Sequence, residues 1–125
     1  MEKEEHMIKA YINAYNNFDI DGMLEHLDEN VVFENHQNGD LTLEIKGKGK
    51  FREQAEKTAE VFSSRKQEVL SIDHKSKTVL AEIQYNAMLA VTISENLKAG
   101  SEINLKGKSV FSFDKNKIVK IVDLS

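Results

Sequence analysis

The chain has 125 residues, 40% apolar and 30% charged, which sets the expectation of one globular domain with one sizeable core. A formal charge of −4 argues against a nucleic-acid binder, which would carry a basic excess. With no cysteine there is neither disulfide nor thiolate-metal site, and with no proline long uninterrupted helices and strands are expected.

The opening segment MEKEEHMIKAY is charged and reads as neither signal peptide nor membrane anchor. No window reaches the roughly 18 apolar residues of a membrane span, so the expected location is the cytoplasm. Over residues 3–17, Ile8, Tyr11, Ile12 and Tyr15, followed by Phe18, recur at helical spacing, with Glu2, Glu4 and Glu5 favouring the helix start. Asp19 is a suitable N-cap for a second helix that buries Ile20, Met23, Leu24 and Leu27, stopped by Asp28-Glu29-Asn30. Val31-Val32-Phe33 opens a strand, Asn38-Gly39 is a hairpin signal, and Leu41, Leu43 and Ile45 alternate on the returning strand.

Gly47 and Gly49 break the chain before a third helix over about 49–63, with Phe51, Ala55, Ala59 and Phe62 on its buried side. A strand is expected at Val69–Ile72. A long one follows, with Ala81, Ile83, Tyr85, Ala87, Leu89, Val91 and Ile93 on one face. After a turn at Glu95–Ser101, the next strand points Ile103, Leu105, Ser109, Phe111 and Phe113 inward. The last strand, Ile118–Leu124, is apolar on both parities, which indicates a central strand or one covered by a partner. Met88, Ala90 and Val110 on the outer face point to a homodimer through the sheet. The expected fold class is α+β, with helices segregated to one face of an antiparallel sheet.

This order resembles the nuclear transport factor 2-like superfamily, in its SnoaL-like and ketosteroid isomerase-like branch. The residues that carry the resemblance are Tyr11-Ile12, Asp19-Ile20-Asp21-Gly22, the run Asp28 to Asn35, and Ile45-Lys46-Gly47 before the third helix. It covers the whole chain as a single domain. It implies a cone-shaped curved sheet, three helices from the N-terminal half on its concave face, an apolar cavity at the wide end, and dimerisation through the sheet.

In the ketosteroid isomerases so resembled, a tyrosine of the first helix donates to an oxyanion, an aspartate of the first strand is the base, and a protonated acid lies on a later strand. By position these fall on Tyr11, Asn35 and Ser109, while Leu27 and Ala55 fall where supporting tyrosines sit. An amide has no pKa near working pH and cannot shuttle a proton, and a serine is a weaker oxyanion donor than a neutral acid. Steroid isomerase activity is therefore not expected.

The expected ligand-binding residues are Tyr11, Tyr15, Phe33, Asn35, Phe51, Phe62, Tyr85, Ser109 and Phe111, with Tyr11, Asn35 and His36 the catalytic candidates. Asn35 shares its parity with Phe33 and so faces inward; His36 faces outward unless a bulge re-aims it. No ionisable acid is expected beside Tyr11 and Asn35, since Glu34 and Glu44 read as surface residues. The histidines lack metal-ligand spacing, so neither metal nor cofactor is expected. The Lys46–Lys50 run, KGKGK, lacks phosphate-loop spacing and reads as a solvated turn. The expected function is binding of a small, largely apolar molecule. The alternatives are an enzyme of polyketide cyclase, dehydratase or isomerase type, and a dimeric interaction module without a ligand.

Overall fold

A computed structural model describes residues 2–125. Helix α1 (Glu2–Asn16) buries Met7, Ile8, Tyr11, Ile12 and Ala14, the stripe its periodicity requires. The carboxylate of Asp19 accepts the Gly22 amide at 3.0 Å and starts α2 (Ile20–Leu24). Strands β1 (Leu27–Gln37) and β2 (Asp40–Lys46) form a hairpin over Asn38-Gly39, both at positive φ. Helix α3 (Lys48–Val61) precedes β3 (Phe62–His74), β4 (Thr78–Leu89), β5 (Glu102–Asp114) and β6 (Lys117–Leu124).

These strands make one curved, unclosed sheet in the order β2-β1-β6-β5-β4-β3. Four neighbouring pairs are antiparallel, but β1 and β6 run parallel, a correction to the all-antiparallel expectation. The parallel pairing places β6 at the sheet's centre and accounts for its two apolar parities: Ile118 and Ile121 are fully buried, while Val119 and Val122 are half-buried. The helices lie on one face, α1 against β3 and α3 against β1 and β2.

Three element boundaries differ from expectation, each because strand pairing overrides local signals. Leu27 opens β1 instead of closing α2, since it pairs with Ile118 and the His26 carbonyl accepts the Ile118 amide at 2.8 Å. Strand β3 begins at Phe62, because residues 62–68 pair with the far half of β4. Strand β4 stops at Leu89, one residue before its last bond on the β3 side, from the Ala90 amide to the Val61 carbonyl at 2.8 Å; Val91 and Ile93 are exposed in the following loop.

Candidate functional site

Two neighbouring rows of side chains cross the concave face of the sheet. Directly paired residues share a face, so the register defines them. The first row is Ile45–Phe33–Ile121–Phe111–Val79 and is wholly apolar. Two residues further along β1 and β6, the second row reads Leu43–Asn35–Asp123–Ser109–Ala81, with three polar side chains at its centre. The polar row borders a hollow between sheet and helices.

The hollow has an inner chamber of about 200 Å³, whose wall includes Tyr11, Phe33, Asn35, Phe51, Arg65 and Asp123. An outer chamber of about 360 Å³ is lined by Phe62, Tyr85, Ser109 and the ends of β5 and β6. Tyr15, Asn35, Thr58, Gln67 and Asp123 belong to both. Eight of the nine expected ligand-binding residues thus border the hollow. Phe111 does not. It is fully buried beneath the cavity floor, with its ring edge-on to Tyr11 at 6.0 Å.

Asp123 is the residue that sequence reasoning missed, and it overturns the expectation of a site without an acid. Its Oδ1 accepts the Ser109 hydroxyl at 2.7 Å. Burial pushes its carboxyl up to about 6, against the opposing effect of that hydrogen bond. Protein surrounds the group on most sides while both chambers reach it, so it is half-buried and accessible. Asp123 stands two residues after the inward Ile121, in a strand whose two apolar parities hide that direction from the sequence.

Tyr11 faces the inner chamber, 6% exposed, and no hydrogen bond perturbs its phenol. Burial holds that phenol well above its usual range, and the charge of Asp123 adds to the shift while Arg65 opposes it. It therefore stays a neutral donor. The Tyr15 and Tyr85 hydroxyls bond to each other at 2.9 Å, and burial raises both. The Asn35 amide donates to Thr42 Oγ1 at 2.9 Å, next to a bulge between Asn35 and His36.

His36 is corrected as a catalytic candidate: it lies on the opposite face, where its Nε2 meets Glu34 Oε1 at 2.9 Å. Lys120 contacts the other oxygen of Glu34 at 3.3 Å, and the two partners hold that carboxyl below its usual range. Both chambers exclude His36. Among the described residues no group of three His, Asp or Glu side chains converges as a metal site would require.

Arg65 was also missed, because the strand expected at Val69–Ile72 starts after it. As part of β3 it alternates inward with Gln67, and it is 5% exposed. Its guanidinium lies 3.7 Å from the Tyr15 ring centroid and 4.4 Å from that of Phe18. The Nε donates to the Tyr15 carbonyl at 2.7 Å.

Comparison with known proteins decides the family. The SnoaL-like domain matches residues 8–121, most of the chain. The chain belongs to the SnoaL-like family. A search of functionally curated proteins finds no match. Among solved structures, the SnoaL-like chain is similar to a candidate polyketide cyclase from Xanthomonas campestris pv. campestris, with a TM-score of 0.83, 19% identity, and 99% of this chain and 90% of that one covered. It is similar to an LEH-like epoxide hydrolase from M. tuberculosis, with a TM-score of 0.77, 16% identity, and coverage of 98% and 82%. An uncharacterised cystatin-fold protein from Novosphingobium aromaticivorans gives a TM-score of 0.73, 17% identity, and coverage of 96% for both chains. At such identities the likeness establishes the α+β fold, and a fold hosts many chemistries. No helix among the described residues is long and apolar enough to cross a membrane.

Proposed function

We propose that this SnoaL-like chain is an acid–base enzyme of the cyclase or isomerase kind, acting on a small, largely apolar carbonyl compound in the inner chamber. The observation that carries the reading is Asp123: a carboxyl in an apolar hollow, raised to about 6, beside a neutral phenol. A general base works best with a pKa near the working pH.

The ionised Asp123 takes a proton from carbon next to the substrate carbonyl, and the C–H electron pair becomes the enolate. Tyr11 donates a hydrogen bond to the enolate oxygen. The carbanion then either takes the proton back from Asp123 at another carbon or attacks a second carbonyl of the same molecule to close a ring; in the latter case the new alkoxide takes the proton. Ser109 holds one carboxylate oxygen and so orients the base.

A second reading is capture of such a molecule without turnover. It is favoured by the Tyr15–Tyr85 pair, whose hydroxyls bond each other, and by Asn35, whose amide is engaged by Thr42. Hydrogen–deuterium exchange separates the two, with 2-tetralone as probe in D2O and its α-protons followed by NMR. Catalysed exchange is expected, lost in Asp123→Asn and slowed on the order of 100-fold in Tyr11→Phe, a usual penalty for removing one oxyanion donor. Exchange no faster than in buffer, or unchanged in Asp123→Asn, defeats the catalytic reading.

The proposed assembly is a homodimer through the outer face of the sheet, where Leu80, Val110 and Val122 form a half-buried apolar row. Light scattering should then return about twice the 14.2 kDa of one chain. The cytoplasm is the proposed location, and neither nucleic acid nor membrane is a proposed partner.

A further inference from the structure

Arg65 poses a problem that its neighbours do not solve. Its guanidinium is buried, and Nη1 has no hydrogen-bond partner. Nε is taken by the Tyr15 carbonyl, and Nη2 meets only the thioether sulfur of Met23 at 4.0 Å. The two aromatic rings offset part of the desolvation cost through their faces, but they accept no hydrogen bond in the plane of the fork. Among the described residues no carboxylate forms an ion pair with it. A buried cation left in this condition is strongly unfavourable unless something outside the chain completes it.

The surroundings hold the guanidinium in place. Phe18 takes φ 58°, a left-handed conformation that costs an aromatic residue, and its ring covers one side of Arg65. Arg65 borders the inner chamber, and its charge opposes, without reversing, the upward shift that burial gives the hydroxyls of Tyr11, Tyr15 and Tyr85. No hydrogen bond or ion pair joins it to Asp123, whose carboxylate is engaged by the Ser109 hydroxyl. The chamber therefore carries an acid and a cation that do not pair with each other.

We propose that Arg65 receives an anionic oxygen of the ligand, so that the substrate class is a ring-sized apolar molecule carrying one carboxylate or acidic enol oxygen. The size follows from the chamber of about 200 Å³, since an apolar cavity of roughly 150 Å³ takes up benzene. The planar fork suits a carboxylate or the delocalised oxygens of an enolate, and binding there leaves the reacting carbon on the Asp123 side. The inference rests on the inner chamber being the site, as proposed above, and not on any turnover.

Benzoate and benzamide form a matched planar pair that tests it by calorimetry near pH 7. Benzoate should bind the wild-type chain at least tenfold more tightly. Asp123→Asn removes the nearby negative charge and should keep or widen that preference, whereas Arg65→Met should abolish it. Should Arg65→Met fail to fold, the wild type still decides through its Arg65 side-chain ¹⁵N resonances, which benzoate must shift and benzamide must not. Equal affinity for the two probes, binding of neither, or a preference that survives Arg65→Met overturns the inference. Exchange of 2-tetralone without an anion preference refutes this inference alone; an anion preference without exchange refutes only the catalytic reading.

Discussion

Replacing Asp123 with asparagine separates the stability of this fold from its chemistry. The carboxyl titrates near 3.8 in the unfolded chain and at about 6 in the folded one. Between those values the folded state holds a proton that the unfolded state has released, so stability falls as pH rises from about 4 to about 6 and is flat beyond. At about 1.4 kcal/mol per pH unit, the loss is at most about 3 kcal/mol. Asparagine mimics the neutral acid, and its carbonyl can still accept the Ser109 hydroxyl. Urea denaturation of wild type and Asp123→Asn at about pH 4 should therefore give similar stabilities, while at about pH 8 the variant should be more stable by about 2–3 kcal/mol. The stabilised variant should also lose exchange activity, the trade-off expected of a residue kept for function. Parallel pH dependences in the two proteins, or an Asp123 ¹³C titration midpoint near that of a free aspartate, would refute the burial argument.

Other substitutions test the layout around it. Phe111→Ala should cost about 3–5 kcal/mol in denaturant unfolding, because the ring is fully buried under the cavity floor and its loss leaves a void. His36→Ala should leave exchange and probe binding unchanged, since the imidazole lies on the far side of the sheet against Glu34. Gly22→Ala should lower the melting temperature, although alanine favours helix by about 1 kcal/mol. The added methyl would lie 2.9 Å from Ala14 Cβ, where α1 and α2 pack together.

The helices, the Asn38-Gly39 hairpin and the inward parity of β5 were legible because each rests on local chemistry: periodicity in α1, a capping aspartate, positive φ at Asn38-Gly39. The membership of Phe62–Glu68 in β3 was not, since that segment is polar and extended only because β4 is long enough to pair with it. Arg65 was lost with it. Asp123 was missed for a different reason. In β6 the adjacent apolar pair Val119 and Ile121, set against Ile118 and Val122, obscured which parity faces inward. The parallel pairing of β1 with β6 fixes it, and no sequence pattern within either strand announces that pairing.

The same pairing sets a carboxyl beside Asn35, the position to which the resemblance to ketosteroid isomerases assigns a base. Asn35 and Asp123 are direct neighbours in the parallel ladder, and adjacent strands lie about 4.8 Å apart. Moving the acid from β1 to β6 thus shifts it by one strand without taking it off the polar row or out of the hollow. Ser109 flanks it on the other side, and its hydroxyl donates to the carboxylate. On the proposed reading the substrate spans the inner chamber from Asp123, at the centre of the sheet, to the guanidinium of Arg65 on β3.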